Sequence, residues 1–233
     1  MTVARDKNLL KRRVDDYLWR DRSKTVAALR NSLQENFFGF RNVYIFGGMV
    51  RDFARGGTSR IKSDVDLVIE APASQVHELA RRVGGSSNLS GGFGVITERW
   101  HIDFWALETT WAYREGHISG NSIDDLLSGT FFDWDAVYYD LRLRRVGMKP
   151  DYLDRLRSRV LGINLRATPS TVPNAIRAIR RLVSWDLVPS TELMDFIVSV
   201  CSEVSLSELV AFELRKYGNS VCLKFDSAHS LLD

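Results

Sequence analysis

The sequence predicts an α+β protein: a head of alternating strands and helices, followed by an all-helical C-terminal region. Three observations carry this. Apolar runs ending at Phe46, across Asp64–Ile69 and over His101–Trp105 read as strands, the first two separated by Gly47-Gly48 and a helix-like stretch from Met49. Residues 151–233 carry helix-period apolar spacing punctuated by Pro169, Pro173 and Pro189. Residues 5–30 interleave cations with Leu9, Leu10, Val14, Leu18 and Trp19 at helical spacing.

Taken in order, residues 1–40 form a basic N-terminal helical extension, read as one amphipathic helix packed on the head. A solvated helical face accounts for its charge; a contact with a phosphate backbone through Lys11, Arg12, Arg13, Arg20 and Arg22 is the alternative. Residues 41–145 form the head and residues 146–233 a helical, neck-like region. A second basic group, Arg142, Arg144, Arg145 and Lys149 followed by Arg155, Arg157 and Arg159, lies where these meet. In the helical region Ser190-Thr191 before Glu192 starts a helix whose Met194, Phe196, Ile197 and Val200 pack a core. Two further apolar-periodic stretches follow around Leu206–Tyr217 and Val221–Leu232.

At 233 residues and 45% hydrophobic, the chain buries a substantial core. No apolar run approaches the roughly 20 residues that cross a bilayer, and the basic N-terminus lacks the apolar core of a signal peptide. Cys201 and Cys222 make no disulfide framework, and no Cys/His cluster has zinc spacing. A reducing cytoplasm is the expected location. The net charge of +3 is too small to argue for nucleic acid by itself.

The chemistry concentrates at Asp64 and Asp66. Successive side chains of a strand alternate faces, so these two carboxylates emerge together while Val65 and Leu67 point into the core. Two carboxylates on one face suit a divalent cation such as Mg²⁺, which completes its shell with substrate phosphates. Gly47-Gly48 lets the backbone approach a ligand, and a helix starting near Met49 aims free N–H groups at an anion. Arg51, one turn in, is placed to reach a phosphate oxygen. Strand, diglycine, helix and an Asp-x-Asp strand together describe a metal–triphosphate cradle.

The segment Gly47-Gly48-Met49-Val50-Arg51-Asp52 followed by Asp64-Val65-Asp66-Leu67-Val68 resembles the head of the class II tRNA nucleotidyltransferase and bacterial poly(A) polymerase family, within the DNA polymerase beta-like superfamily. The resemblance runs from about residue 41 to about residue 187. It implies a polymerase beta-like head with a five-stranded-type mixed sheet. It also implies a third carboxylate, supplied by Asp103 in His101-Ile102-Asp103-Phe104-Trp105 after the Gly91-Gly92-Phe93-Gly94 turn. Asp64, Asp66 and Asp103 then hold two Mg²⁺ ions at the α-phosphate of a nucleoside triphosphate, and Asp103 helps deprotonate the attacking hydroxyl. His101 is placed to touch substrate or tune the site. The nucleotide-binding set comprises Gly47, Gly48, Arg51, Asp52, Ser63, Asp135, Asn174, Arg177 and Arg180.

The chain departs from the family pattern in two places. Gly129, Thr130 and Phe131 stand where the family has Arg-Arg-Asp, and Asp135 stands in place of Asn. Asn174-Ala175-Ile176-Arg177-Ala178-Ile179-Arg180 resembles the family's Arg-Ala-x-Arg helix, but Ser170, Thr171 and Asn174 replace the Glu-Asp-x-x-Arg element that reads the base. Nor does the remaining length accommodate the family's body and tail. The expected activity is metal-dependent transfer of a nucleoside monophosphate from a nucleoside triphosphate to a hydroxyl, at an RNA (tRNA-like) 3′ end. The alternatives are a protein or small-molecule acceptor, or a non-catalytic nucleotide- or RNA-binding relative.

Overall fold

The computed structural model describes residues 2–57, 64–88, 91–97 and 99–225. The chain divides into two compact units: the residues up to Thr130 with Trp134–Asp154, and Phe131–Asp133 with the chain from Arg155 onward.

In the first unit Asp6 caps helix α1 (Lys7–Asp15), accepting the Leu9 amide at 2.7 Å. A π-helical turn over Asp16–Arg20 follows, and Ser23 caps α2 (Lys24–Asn36). The N-terminal stretch is therefore two helices and not one, because the Asp21 and Ser23 oxygens capture backbone amides and restart the helix. Leu10, Val14, Leu18, Leu29, Leu33 and Phe37 are buried beneath these helices.

Next come β1 (Val43–Phe46), α3 (Gly48–Gly56), β2 (Val65–Ile69), α4 (Ala73–Val83), β3 (Ser86–Ser87), β4 (Phe93–Ile96) and β5 (His101–Ala106). Two short helices, α5 (Trp111–Arg114) and α6 (Ile123–Leu126), lead to the hairpin β6 (Val137–Asp140) and β7 (Arg145–Met148). The strands form one mixed sheet in the order β3-β4-β5-β2-β1-β6-β7, with β2 and β5 parallel. Among the described residues the sheet has seven strands where a five-stranded type was expected. The two at the edges account for the difference: β3 has two residues, too few to show an alternation in sequence, and β7 returns from β6 through a tight turn.

The register assigns the faces. Ile45 pairs with Leu67 and with Tyr139, and Leu67 with Phe104, so these side chains share one face. Helices α1 and α2 cover it: Phe37 meets the Phe104 ring edge-on at 5.4 Å, and the Trp19 indole donates to the Tyr139 hydroxyl at 2.9 Å. Tyr44, Val68 and Tyr138 point the other way and pack with Leu107, Ile123, Leu126 and Leu127. Asp66 is on that second face, two residues from Val68.

In the second unit, reached through α7 (Tyr152–Ser158), a pair of two-residue strands, β8 (Val160–Leu161) and β9 (Val188–Pro189), accompanies α8 (Thr171–Trp185), α9 (Thr191–Glu203) and α10 (Leu206–Tyr217). Pro173 lies in the first turn of α8, where a missing N–H costs no intrahelical bond, so it stands inside the helix and does not mark a break. Ser190 caps α9, and Ser205 with Glu208 forms a capping box on α10. The last apolar stretch is a 3₁₀ turn at Cys222–Lys224; its continuation lies outside the described residues.

Candidate active site

Asp66 and Asp103 are register partners on the parallel pair β2–β5, and Asp64 stands one residue before β2, on the same face as Asp66. The structure thus brings together the three carboxylates expected from the sequence, while Val65 and Leu67 are fully buried on the opposite side. Strand hydrogen bonding sets neighbouring backbones about 4.8 Å apart, so the clustering of acids is built into the sheet. The cost shows at Asp66. Burial and the charges of Asp103, Asp64 and Asp135 push its carboxyl up to about 7, against the opposing pull of Arg51.

His101 stands between two of the acids. Its Nδ1 is 3.9 Å from Asp64 Oδ2 and 3.7 Å from Asp103 Oδ2. Asp103 is steadied from the other side by Asn88, whose Nδ2 donates to Oδ1 at 3.2 Å while its own Oδ1 accepts the Gly92 amide at 2.9 Å. Sequence reasoning missed Asn88, fifteen positions from Asp103; its one signal is an Asn placed just before a glycine turn. Gly94 pairs with Asp103, and a Cβ there would sit 2.9 Å from Asp103 Oδ1 and 3.1 Å from His101 Nε2. The glycine before the third acid leaves the space that the acid and the imidazole occupy.

On the other flank β1 turns into α3 at Gly47, whose φ of 70° and ψ of −117° suit glycine. Helix α3 starts with no side-chain cap. Arg51, expected to reach a phosphate, is buried and bound to two acids: Asp52 at 2.9 Å and Asp135 at 2.5 Å. Asp52 also lies 3.8 Å from Arg55, which stacks over Trp134 at 5.7 Å. Arg51 therefore ties α3 to the 3₁₀ turn Asp133–Asp135, and Asp135, the residue in place of the family's Asn, is its strongest tie.

Ser63 lies outside the described residues. Asn174, Arg177 and Arg180 stand on α8 in the second unit. Asn174 is buried and donates to Thr168 Oγ1 at 2.7 Å. Arg180 pairs with Glu213 and donates to Asn219. The basic groups noted in the sequence are largely engaged within their own units. Lys11, Arg20, Arg144 and Arg145 bind acids, while Arg13 and Arg142 bind backbone carbonyls. Helices α1 and α2, moreover, cover the sheet face opposite the carboxylates.

No family model matches the chain, and no curated protein matches it significantly by sequence. Solved structures do. A Thermotoga maritima CCA-adding enzyme complexed with tRNA superposes with a TM-score of 0.59 and 20% identity, over 96% of this chain and 53% of that one. The fold is that of the tRNA nucleotidyltransferases. A CCA-adding enzyme bound to CTP matches with a TM-score of 0.57 and 21% identity over 96% of this chain and 54% of the other. A tRNA nucleotidyltransferase complexed with a primer tRNA and an incoming ATP analog matches at 0.51 and 21%, over 78% and 53%. The chain spans about half the length of these structures. The nucleotidyltransferase fold and the sequence resemblance thus agree, and the carboxylate face lies in the part of the chain that carries the motif.

Carboxylate oxygens are hard donors of the kind that divalent cations such as Mg²⁺ take. Among the described residues no group of three or more His, Cys, Asp or Glu side chains is placed, as it stands, to hold a metal ion. Asp64, Asp66 and Asp103 nonetheless share one face near Asp135, and the Asp66 carboxyl is raised first by burial and then by the charges of Asp103, Asp64 and Asp135.

Proposed function

We propose that the protein is a metal-dependent nucleotidyltransferase that moves a nucleoside monophosphate from a nucleoside triphosphate to the 3′ hydroxyl of an RNA. The observation that supports this most is the in-register pair Asp66 and Asp103 with Asp64 beside it, on the sheet face next to the Gly47 turn.

Asp64, Asp66 and Asp103 would hold the Mg²⁺ ions, whose chemistry there would be to stabilise charge at the α-phosphate and favour the ionised nucleophile. Gly47, Gly48 and the amides that open α3 accept the triphosphate, which the glycine backbone lets approach closely. Arg51 contributes positive charge behind that turn and, through Asp52 and Asp135, holds α3 in place. The hydroxyl oxygen attacks the α-phosphorus, the bond to the β-phosphate oxygen breaks, and pyrophosphate leaves. Asp103, steadied by Asn88 and next to His101, takes the hydroxyl proton.

Incubation of the protein with each labelled nucleoside triphosphate, Mg²⁺, and separate pools of RNA and protein tests the reading. Label is expected in RNA ends, with Mg²⁺ required. Label confined to protein would overturn the acceptor, and no label in any pool would overturn the reaction. The absence of the Glu-Asp-x-x-Arg element leads to relaxed choice among triphosphates, read by sequencing the extended ends.

A further inference from the structure

Strand β5 carries more than the third acid on the carboxylate face. Alternation puts His101, Asp103 and Trp105 together there, and the register puts Gly94 and Ile96 of β4 beside Asp103 and His101. A Cβ at Gly92 would collide with the Trp105 indole, so the half-buried ring lies directly over the Gly92 backbone, on the β4 side of its own strand. A Cβ at Gly91 would meet the Arg114 guanidinium at 2.9 Å, and Arg114 pairs with the exposed Glu115 next to it. An aromatic plane and a guanidinium thus flank one diglycine. Trp105 stands two residues, roughly 6.6 Å along the strand, from Asp103.

The sheet order gives this corner a side of the reaction. Across the carboxylate face the strands run β4, β5, β2, β1. The Gly47 turn assigned to the triphosphate therefore lies on one flank of Asp66 and Asp103, and Trp105 with Gly92 on the other. In-line displacement at the α-phosphorus puts the leaving pyrophosphate and the attacking hydroxyl on opposite sides. With pyrophosphate toward Gly47, the hydroxyl comes from the β5–β4 side. The nucleoside bearing it presents its base to that flank, where an indole offers stacking that any base can use and a guanidinium pairs with the adjoining phosphodiester.

We propose that Trp105 is the stacking platform for the 3′-terminal base of the acceptor strand, with Arg114 on the phosphodiester behind that base. Trp105 positions the acceptor: it holds the terminal ribose so that the 3′ hydroxyl meets Asp103. This role rests on nucleotidyl transfer as the protein's reaction, which fixes the side from which the acceptor comes.

Short single-stranded RNA labelled at its 5′ end is titrated with the full chain in Mg²⁺ without nucleoside triphosphate, once with a natural 3′-terminal nucleotide and once with an abasic one. Wild type should bind the natural end about 10-fold tighter, the scale of one stacked base. Trp105→Leu should lose that preference and Trp105→Phe keep most of it. Ile96→Ala, which changes an 81% exposed side chain on the other side of Asp103, should keep all of it. Arg114→Gln should weaken both ends alike and lower the log–log salt slope by about 1. Equal wild-type affinity for the two ends, no binding of either, or an undiminished preference in Trp105→Leu overturns the platform. In the wild type a 3′-terminal 5-iodouridine should photocrosslink to Trp105; a crosslink confined to other residues overturns it whether or not Trp105→Leu folds.

Extension of the same RNAs separates the platform from the reaction. Trp105→Leu should raise KM for the acceptor about 10-fold and leave KM for the triphosphate unchanged. Extension with an unchanged acceptor KM overturns the platform and leaves transfer standing. Base-dependent binding through Trp105, with no extension of any RNA, keeps the base site and overturns the reaction.

Discussion

Asp66 of β2 lies directly beside Asp103 of β5 across a parallel strand pair, so two acids are held on one face by backbone hydrogen bonds and not by side-chain choice. Removing either leaves the sheet ladder intact. Asp66→Asn and Asp103→Asn should each lower nucleotidyl transfer by at least about 100-fold, the scale of a lost catalytic group, with the same fold by circular dichroism. Full activity in either variant would remove the pair from the mechanism.

The same pair sets a pH dependence in the metal-free protein. Asp66 titrates near 7 in the fold against 3.8 for an ordinary aspartate, so the folded state binds the proton more tightly than the unfolded chain. Stability therefore falls as pH rises from about 4 to about 7 and levels off above. Asp66→Asn should flatten this slope and stabilise the metal-free protein at pH 8 by roughly 1–3 kcal/mol, with Mg²⁺ narrowing the difference. Urea unfolding at several pH values, with and without Mg²⁺, reads it directly.

Arg51 serves the buried Asp52 and the half-buried Asp135 at once. Arg51→Ala should cost about 3–5 kcal/mol of stability by removing the guanidinium that Asp52 and Asp135 share, in addition to weakening triphosphate binding. Asp135→Asn separates the two effects. It keeps a side chain for Arg51 to bind and removes a negative charge beside the triphosphate, so affinity for a non-hydrolysable triphosphate should rise several-fold in isothermal titration.

Gly94 is a steric prediction. A methyl group there meets Asp103 Oδ1 and His101 Nε2 at 2.9 and 3.1 Å, so Gly94→Ala must displace the acid or the imidazole. Transfer should fall by about 10-fold or more while the melting temperature moves little, because the displaced groups are polar and partly exposed. A large loss of stability with normal specific activity would show that Gly94 serves the sheet and not the site.

Glu213 is the corresponding test in the second unit. Burial alone would raise its carboxyl, but hydrogen bonds from Ser220, the Val221 amide, Arg180 and the Cys222 amide hold it below the ordinary glutamate value. The stability it contributes is present above about pH 4.5 and lost as pH falls through the depressed folded value. Glu213→Gln should cost roughly 2–4 kcal/mol at neutral pH and remove that acid sensitivity, as measured by denaturant unfolding.

By itself the sequence determined the strand–diglycine–helix–strand unit, the three acids and the helix start at Ser190. These depend on local rules: strand alternation puts Asp64 and Asp66 on one face, glycine permits the turn at Gly47, and serine oxygens open helices. Only the tertiary structure decided which partners the charges take. Arg51 reads in sequence as a phosphate ligand, yet Asp135, 84 positions away, holds it. Arg180 reads as a nucleotide contact, yet it meets Glu213, and Asn88 reaches Asp103 through a register that no spacing reveals. The edge strands β3 and β7 and the break between α1 and α2 were likewise settled by pairing and capping. A charged side chain lowers its energy by finding whichever opposite charge the packed chain brings within hydrogen-bond reach, and that choice belongs to long-range contacts, which local periodicity does not encode.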